Sequence, residues 1–225
     1  MPKSHETNDG APSRCAVLVP LKSFTKGKSR LDVLGAEKRE AIARLAAHVV
    51  LEAAKHHHPH VVTGDSQVAE WAKGFGASVI LGGQGSLNAD LEEALDHLRA
   101  AGYRRAVIAL GDLPLLRPVD IAAAAASDGF YVIPDRHDAG TNLLACELPF
   151  PIRLAFGEDS FPAHLAAIAK TGAGCKIDNE SLARFDVDLP EDLEALAALA
   201  AGEVLTAPEV NRLNSLLALA GRRIA

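Results

Sequence analysis

The chain has 225 residues, 48% of them hydrophobic, enough to bury a full core as one domain with short appendages. Its net charge of −6 argues against the basic surface of a sequence-independent nucleic-acid binder, and no run approaches the ~20 apolar residues of a membrane span. Cys15, Cys146 and Cys175 are odd in number and far apart, which argues against a disulfide framework and for a reducing compartment. Residues 1–14, MPKSHETNDGAPSR, are polar and lack the apolar core of a signal peptide, so a flexible N-terminus on a cytoplasmic protein is expected. CAVLVP (15–20) follows, a short apolar run ended by proline. HVVT (60–63), ASVIL (77–81), AVIAL (106–110) and FYVI (130–133) repeat the type, and such continuous runs suit strands covered on both faces.

Helical stretches alternate with these runs. In 37–54, Ile42, Leu45, Val49 and Ala53 recur at helical spacing against Arg39, Glu40 and Glu52. A second helix is expected from near Asn88 to Ala100, with Leu91, Leu95 and Leu98 on one side. The alternation predicts a mostly parallel α/β sheet with helices on both faces and ligands beyond the carboxyl ends of its strands. Residues 134–161 are rich in Gly, Pro, Asp and Ser, with LLAC as their one obvious strand, and a long irregular segment in a compact domain is more often functional than idle. AHLAAIAKTG and PEDLEALAALAAG read as helices, the latter opened by Pro190, Glu191 and Asp192. An amphipathic helix within 203–225, with Val210, Leu213, Leu216 and Leu217 on its apolar side, serves packing or a homodimer contact. The expected division is therefore 1–14, a catalytic body at 15–200 and a helical extension at 201–225.

Two constellations carry chemistry. The first is KSFTKGKSRL (22–31), just after the first strand. Its GKS mimics the end of a P-loop, but the glycine needed five positions before Gly27 is replaced by Lys22, so the motif fails. Lys22, Lys26, Lys28 and Arg30 remain as a local docking place for a small anion. The second is acidic: Asp112 in ALGDLP, Asp186 and Asp188 in RFDVDLP, and Asp135 at the head of the irregular segment. Magnesium takes a few carboxylates plus phosphate oxygens and keeps its waters, so two or three strand-end aspartates suffice. If 186–188 is a strand, Asp186 and Asp188 share a side. The alternative for each is local: Asp188 as cap of the helix at Pro190, Asp112 as cap of a turn before Pro114. HHHPH (56–60) has no cysteine or acidic partner at zinc-ligand spacing. His164 is either a substrate contact or a satisfied structural histidine, His137 a solvated loop residue, and Cys146 and Cys175 read as small buried apolar residues.

The segments VPLKSFTKGKSRL, SLNADLEEAL, LGDLP, PDRHDAGTNLL, FGEDSFPAHL and FDVDLPEDL, in this order from Val17 to Leu196, resemble the successive motifs of the CofC family of guanylyltransferases. That family makes the guanosine-linked precursor of the deazaflavin coenzyme F(420). The resemblance implies a Rossmann-like nucleotide-diphospho-sugar transferase fold. It also implies transfer of GMP from GTP to the phosphate of 2-phospho-L-lactate, phosphoenolpyruvate or 3-phosphoglycerate, with release of pyrophosphate. Mg2+ would sit on Asp112, Asp186 and Asp188. Lys22, Lys28 and Arg30 would act on the triphosphate, with Ser29, Ser86, Leu87 and Asn88 also beside the nucleotide; Asn88 is equally a candidate N-cap. Thr141, Asn142, Gly157 and Ser160 would hold the acceptor, unless Gly140 only makes a turn and Ser160 only caps its helix. The alternatives are another nucleotidyl- or glycosyltransferase of similar fold and a nucleotide-binding regulatory subunit. The glycine-rich loop of molybdopterin guanylyltransferases is missing after the first strand.

Overall fold

A computed structural model describes residues 14–25, 29–83, 85–202 and 205–222. Seven strands form one sheet: β1 (Cys15–Pro20), β2 (Pro59–Thr63), β3 (Ser78–Leu81), β4 (Arg105–Ala109), β5 (Phe130–Pro134), β6 (Thr141–Glu147) and β7 (Cys175–Ile177). Their order is β3-β2-β1-β4-β6-β5-β7. Pairings among β3, β2, β1 and β4 and between β5 and β7 are parallel, whereas β6 runs antiparallel to both neighbours. The mostly parallel α/β sheet is thus present, with one reversed strand that brings Thr141 to the same end as the carboxyl termini of β4 and β5.

The described residues form seven α-helices: α1 (Ala36–Ala54), α2 (Ser66–Gly74), α3 (Leu87–Ala100), α4 (Pro118–Ala126), α5 (Ser160–Thr171), α6 (Pro190–Gly202) and α7 (Ala207–Leu219). The period-two geometry of β1 sorts its side chains. Val17 and Val19 pack in one cluster with Ala47 and Val50 of α1, Val68 of α2 and Ile121 of α4. Ala16 and Leu18 pack in another with Leu91, Leu95 and Leu98 of α3 and Ile168 of α5. Strands covered on both faces are therefore continuous apolar runs. A third cluster joins Ile42 of α1, Leu193 and Leu196 of α6, and Leu213, Leu216 and Leu217 of α7 with Leu115 and Val187. The last helix thus packs onto the body. Val210, expected on its apolar side, is only half-buried, and Glu209 is buried instead because its carboxylate accepts from the Thr206 amide and hydroxyl.

Two helices absent from the periodicity analysis, α2 and α4, are made by their caps. Asp65 accepts from the amides of Gln67 and Val68, and the Asp120 carboxylate accepts from the Arg117 amide at 2.8 Å. Two other expectations are corrected. Cys175 is exposed, because β7 is a three-residue edge strand. Residues 185–189 are not a strand: they follow a 3-10 turn at Leu182–Arg184 and pair with no sheet member. Among the described residues, no helix is long and apolar enough to cross a membrane.

Candidate active site

The carboxyl ends of β1 to β5 and the amino end of β6 share one side of the sheet, and the chain places its chemistry-bearing loops there. After β1, the Leu21 amide bonds to the Val62 carbonyl and Lys22 points into solvent. Phe24, 4% exposed, meets Trp71 edge-on at 5.0 Å, with the Arg44 guanidinium 4.5 Å above its ring. Arg39 donates to the Thr25 carbonyl at 2.8 Å. Phe24 is therefore the anchor that seats the basic loop on α1 and α2, a role its residue type alone did not reveal. Lys28 lies outside the described residues. The backbone of Ser29 and Arg30 opens a 3-10 turn, Ser29–Leu34, and their side chains are likewise outside the description.

At the ends of β2 and β3 three glycines let two backbones touch. A Cβ on Gly64 would stand 2.9 Å from the Gly82 carbonyl, and one on Gly83, whose φ is +85°, 2.9 Å from the Gly64 Cα. The Gly83 amide donates to Asp90 at 2.7 Å, tying this turn to α3. Ser86 is exposed and caps α3 through the Ala89 amide, so Asn88 is not the N-cap. Asn88 instead grips the backbone of Phe156 twice, accepting from its amide (2.8 Å) and donating to its carbonyl (3.0 Å). Leu87 packs beside the α3 cluster.

Beyond β4, the Leu110 amide donates to the Asn142 carbonyl and the Asp112 carbonyl accepts from the Val187 amide at 3.1 Å. That second bond lays the two acidic segments side by side. Val187 is fully buried, while Asp186 and Asp188 on either side of it are half-exposed. The carboxylate of Asp192 braces the start of α6, accepting from the amides of Asp188 (2.7 Å) and Leu189 (2.6 Å), while its other oxygen pairs with Arg136 at 2.8 Å. Among the described residues no three His, Cys, Asp or Glu side chains converge as a ready metal cage. The donor set fits magnesium, which binds through one or two carboxylates and completes its shell with substrate phosphates and water.

The irregular segment is built around Asp135. Its carboxylate accepts from the amides of His137, Ala139 and Gly140, and its carbonyl accepts from Arg184. A Cβ on Gly140 would lie 2.8 Å from Asp135 Oδ2, so glycine is required for this close approach. Next to it two of the expected acceptor residues, Thr141 and Ser160, are joined with His164 by hydrogen bonds. The Thr141 amide donates to Ser160 Oγ (2.9 Å), Thr141 Oγ1 meets His164 Nδ1 (2.9 Å), and His164 Nε2 accepts from the Ala155 amide (2.9 Å). The Asn142 amide is committed to the Ala183 carbonyl at 2.9 Å. Gly157 is exposed with φ +139°, and Asp159, left-handed at φ 52°, leads into α5. Ser160 opens the helix without capping it. His137 is exposed, as expected for a solvated loop residue.

His164 is 0% exposed, and burial pushes its pKa down to about 4 from 6.5. Between these values the unfolded chain binds a proton that the native protein refuses. Its contribution is complete above 6.5 and falls as pH drops through that window, by about 3 kcal/mol at pH 4. Burial lowers His57 and His60 in the same direction. Urea midpoints at pH 7.5 and pH 5 are expected to show the loss, and the difference shrinks in His164→Gln.

Of the expected site residues, hydrogen bonds join Thr141 to Ser160, Ser160 to Gly157, Asn88 to the neighbouring Phe156, and Asp112 to the segment that carries Asp186 and Asp188. The family model described as guanylyl transferase CofC like matches residues 15–207. The chain belongs to this family. A phosphoenolpyruvate guanylyltransferase of Chloroflexus aggregans is 31% identical over 194 residues, 81% of this chain and 96% of that protein. Its namesake in Sphaerobacter thermophilus is 35% identical over 188 residues, covering 80% and 91%. That of Mycolicibacterium smegmatis is 32% identical over 208 residues, covering 87% and 90%. Among solved structures, one from Desulfovibrio desulfuricans G20 described as a nucleotide-diphospho-sugar transferase superposes with a TM-score of 0.74 at 18% identity, over 93% of this chain and 98% of that one. A Leptospira borgpetersenii cytidylyltransferase gives 0.54 at 16%, over 92% of each. These two likenesses establish the nucleotidyltransferase-type fold. Asp135, read from the sequence as a fourth acidic candidate for a metal, spends its carboxylate on three backbone amides instead; Arg136, Arg184 and Asp192 are the residues that sequence reading gave no role in this region, and the density of Asp and Arg in PDRHDAG was the one available signal.

Proposed function

We propose that the protein transfers GMP from GTP to the phosphate of phosphoenolpyruvate, or of the closely similar 2-phospho-L-lactate or 3-phosphoglycerate, releasing pyrophosphate, as a step of coenzyme F(420) biosynthesis. Membership of the family, with relatives named phosphoenolpyruvate guanylyltransferase over most of the chain, carries the reading. The chemistry asks little of a general base. A phosphate monoester, with its second pKa near ~6, is largely a dianion at neutral pH and attacks without losing a proton. Positioning and charge stabilisation then carry catalysis.

Each part of the site has a task in this reading. Lys22, with Lys28 and Arg30 from the same loop, draws in the triphosphate, and the seat of Phe24 on Trp71 holds Lys22 at the strand end. Ser29, Ser86, Leu87 and Asn88 border the nucleoside. Thr141, Ser160 and the exposed amides around Gly157 receive the acceptor at the amino end of α5, where helix amides favour an anion. Asn142 orients β6 against the 3-10 turn that precedes Asp186. Asp112, Asp186 and Asp188 would hold Mg2+, which supplies charge neutralisation for the phosphates.

Pyrophosphate release from GTP, ATP, CTP and UTP, crossed with the three acids in the presence of Mg2+ and with products identified by mass, tests the proposal. Release with GTP and one acid supports it and names the acceptor. A folded protein that binds nucleotide but releases nothing with any pair defeats it.

A further inference from the structure

His164 contacts three parts of the acceptor region at once, though it lies 23 residues from one partner and nine from another. Its hydrogen bonds fix its chemistry. A backbone amide can only donate, so the Ala155 N–H makes Nε2 an acceptor, and the ring proton of the neutral imidazole must sit on Nδ1. Nδ1–H therefore donates to Thr141 Oγ1. The Thr141 amide in turn donates to Ser160 Oγ. Both hydroxyl oxygens are thus occupied as acceptors by the protein, and among the described residues neither has a further partner. Each keeps its own O–H, on residues that are 1% and 2% exposed. A carboxylate or phosphate, which offers only lone pairs, is the ligand such a pair of donors fits.

The same ring shapes the backbone beside it. Its bond to Ala155 holds residue 155, Asn88 holds residue 156 from α3, and the Ser160 amide bonds to the Gly157 carbonyl. Phe156 packs edge-on to the imidazole at 5.0 Å. Burial of the ring lowers its pKa to about 4, so the imidazole is uncharged near neutral pH.

We propose that His164 is a positioning residue of the acceptor site: locked as the Nδ1–H tautomer, it turns the Thr141 hydroxyl into a donor toward the acceptor anion and holds residues 155–157 beside it. The inference rests on the acceptor reading of this segment.

Three variants of the full chain separate its parts. Thr141→Val removes the donor and keeps the shape. His164→Gln keeps an oxygen for the Ala155 amide, and His164→Asn keeps a side-chain N–H for Thr141. All three are expected to raise the KM for the acceptor, Thr141→Val by about 100-fold, the scale on which misplaced contacts act, while the KM for GTP moves less than twofold. Adding His164→Gln to Thr141→Val costs little more than Thr141→Val alone. Nitrogen-15 NMR of the imidazole should show a protonated Nδ1 and a bare Nε2 in the wild type and in Thr141→Val. Wild-type turnover with acceptor KM unmoved in Thr141→Val and His164→Gln overturns the positioning role alone, as does a rise shared equally by GTP and acceptor, or an imidazole protonated on Nε2. A wild type inactive with every acid overturns the functional reading and the positioning role with it.

Discussion

Asp112→Asn is expected to slow GMP transfer by 10²- to 10³-fold, about the loss seen when one preorganised electrostatic group is removed from a site of developing charge. The substitution is nearly isosteric, and Asp112 is half-exposed, so the melting temperature should stay within a few degrees. What changes is charge. The backbone bond from Val187 to the Asp112 carbonyl remains, which keeps the two acidic segments aligned. Asp186→Asn should behave alike, and the double variant should lose less than the product of the singles, since carboxylates serving one cation act as a unit. Raising Mg2+ should recover part of the rate in each single variant. Activity within tenfold of wild type, or a rate insensitive to Mg2+ in all proteins, would defeat the proposal that these aspartates hold Mg2+.

Much of the architecture could be read from the residues, for identifiable reasons. Helix α1 was visible because Ile42, Leu45, Val49 and Ala53 return every three or four positions to one side, which is buried except at the half-buried Leu45. The strands were visible as unbroken apolar runs because helices cover both faces of β1 and β4. The same double burial hid the reversal of β6: a strand buried on both faces has the same composition in either direction. Helix α4 was silent because a run of alanines has no period, and its start is fixed by one carboxylate, Asp120. FDVD carries the alternation of a strand, yet residues 185–189 form none, because alternation in a sequence does not report whether a partner strand exists. The site was legible as a set of polar residues at strand ends. Its internal wiring was not, because the deciding bonds join residues far apart in the chain: Asn88 to Phe156, Thr141 to His164, and Arg136 to Asp192.

That last pair carries the second large effect. Asp192→Ala should destabilise the protein by about 3–5 kcal/mol, the cost of removing one partner from a buried ion pair. Both side chains are mostly buried, at 16% and 6% exposure. The deletion strands the amides of Asp188 and Leu189 as well as the Arg136 guanidinium. A loss of this size takes a large share of a typical domain's 5–15 kcal/mol and should lower the melting temperature by about 10 °C or more. Catalysis should fall too, because Asp192 fixes the backbone that carries Asp188, and Arg136 ties that backbone to the Asp135 loop next to the acceptor residues. Asp192→Asn separates the two contributions. Its amide oxygen can still accept from the two amides, but the charge opposite Arg136 is gone. Arg136→Met should therefore cost less in the Asp192→Asn background than in the wild type, with a coupling of about 1–3 kcal/mol by double-mutant cycle. Additive effects on stability would mean that the ion pair contributes nothing beyond its separate parts. A kcat unchanged in folded Asp192→Ala would show that the position of Asp188 does not depend on it.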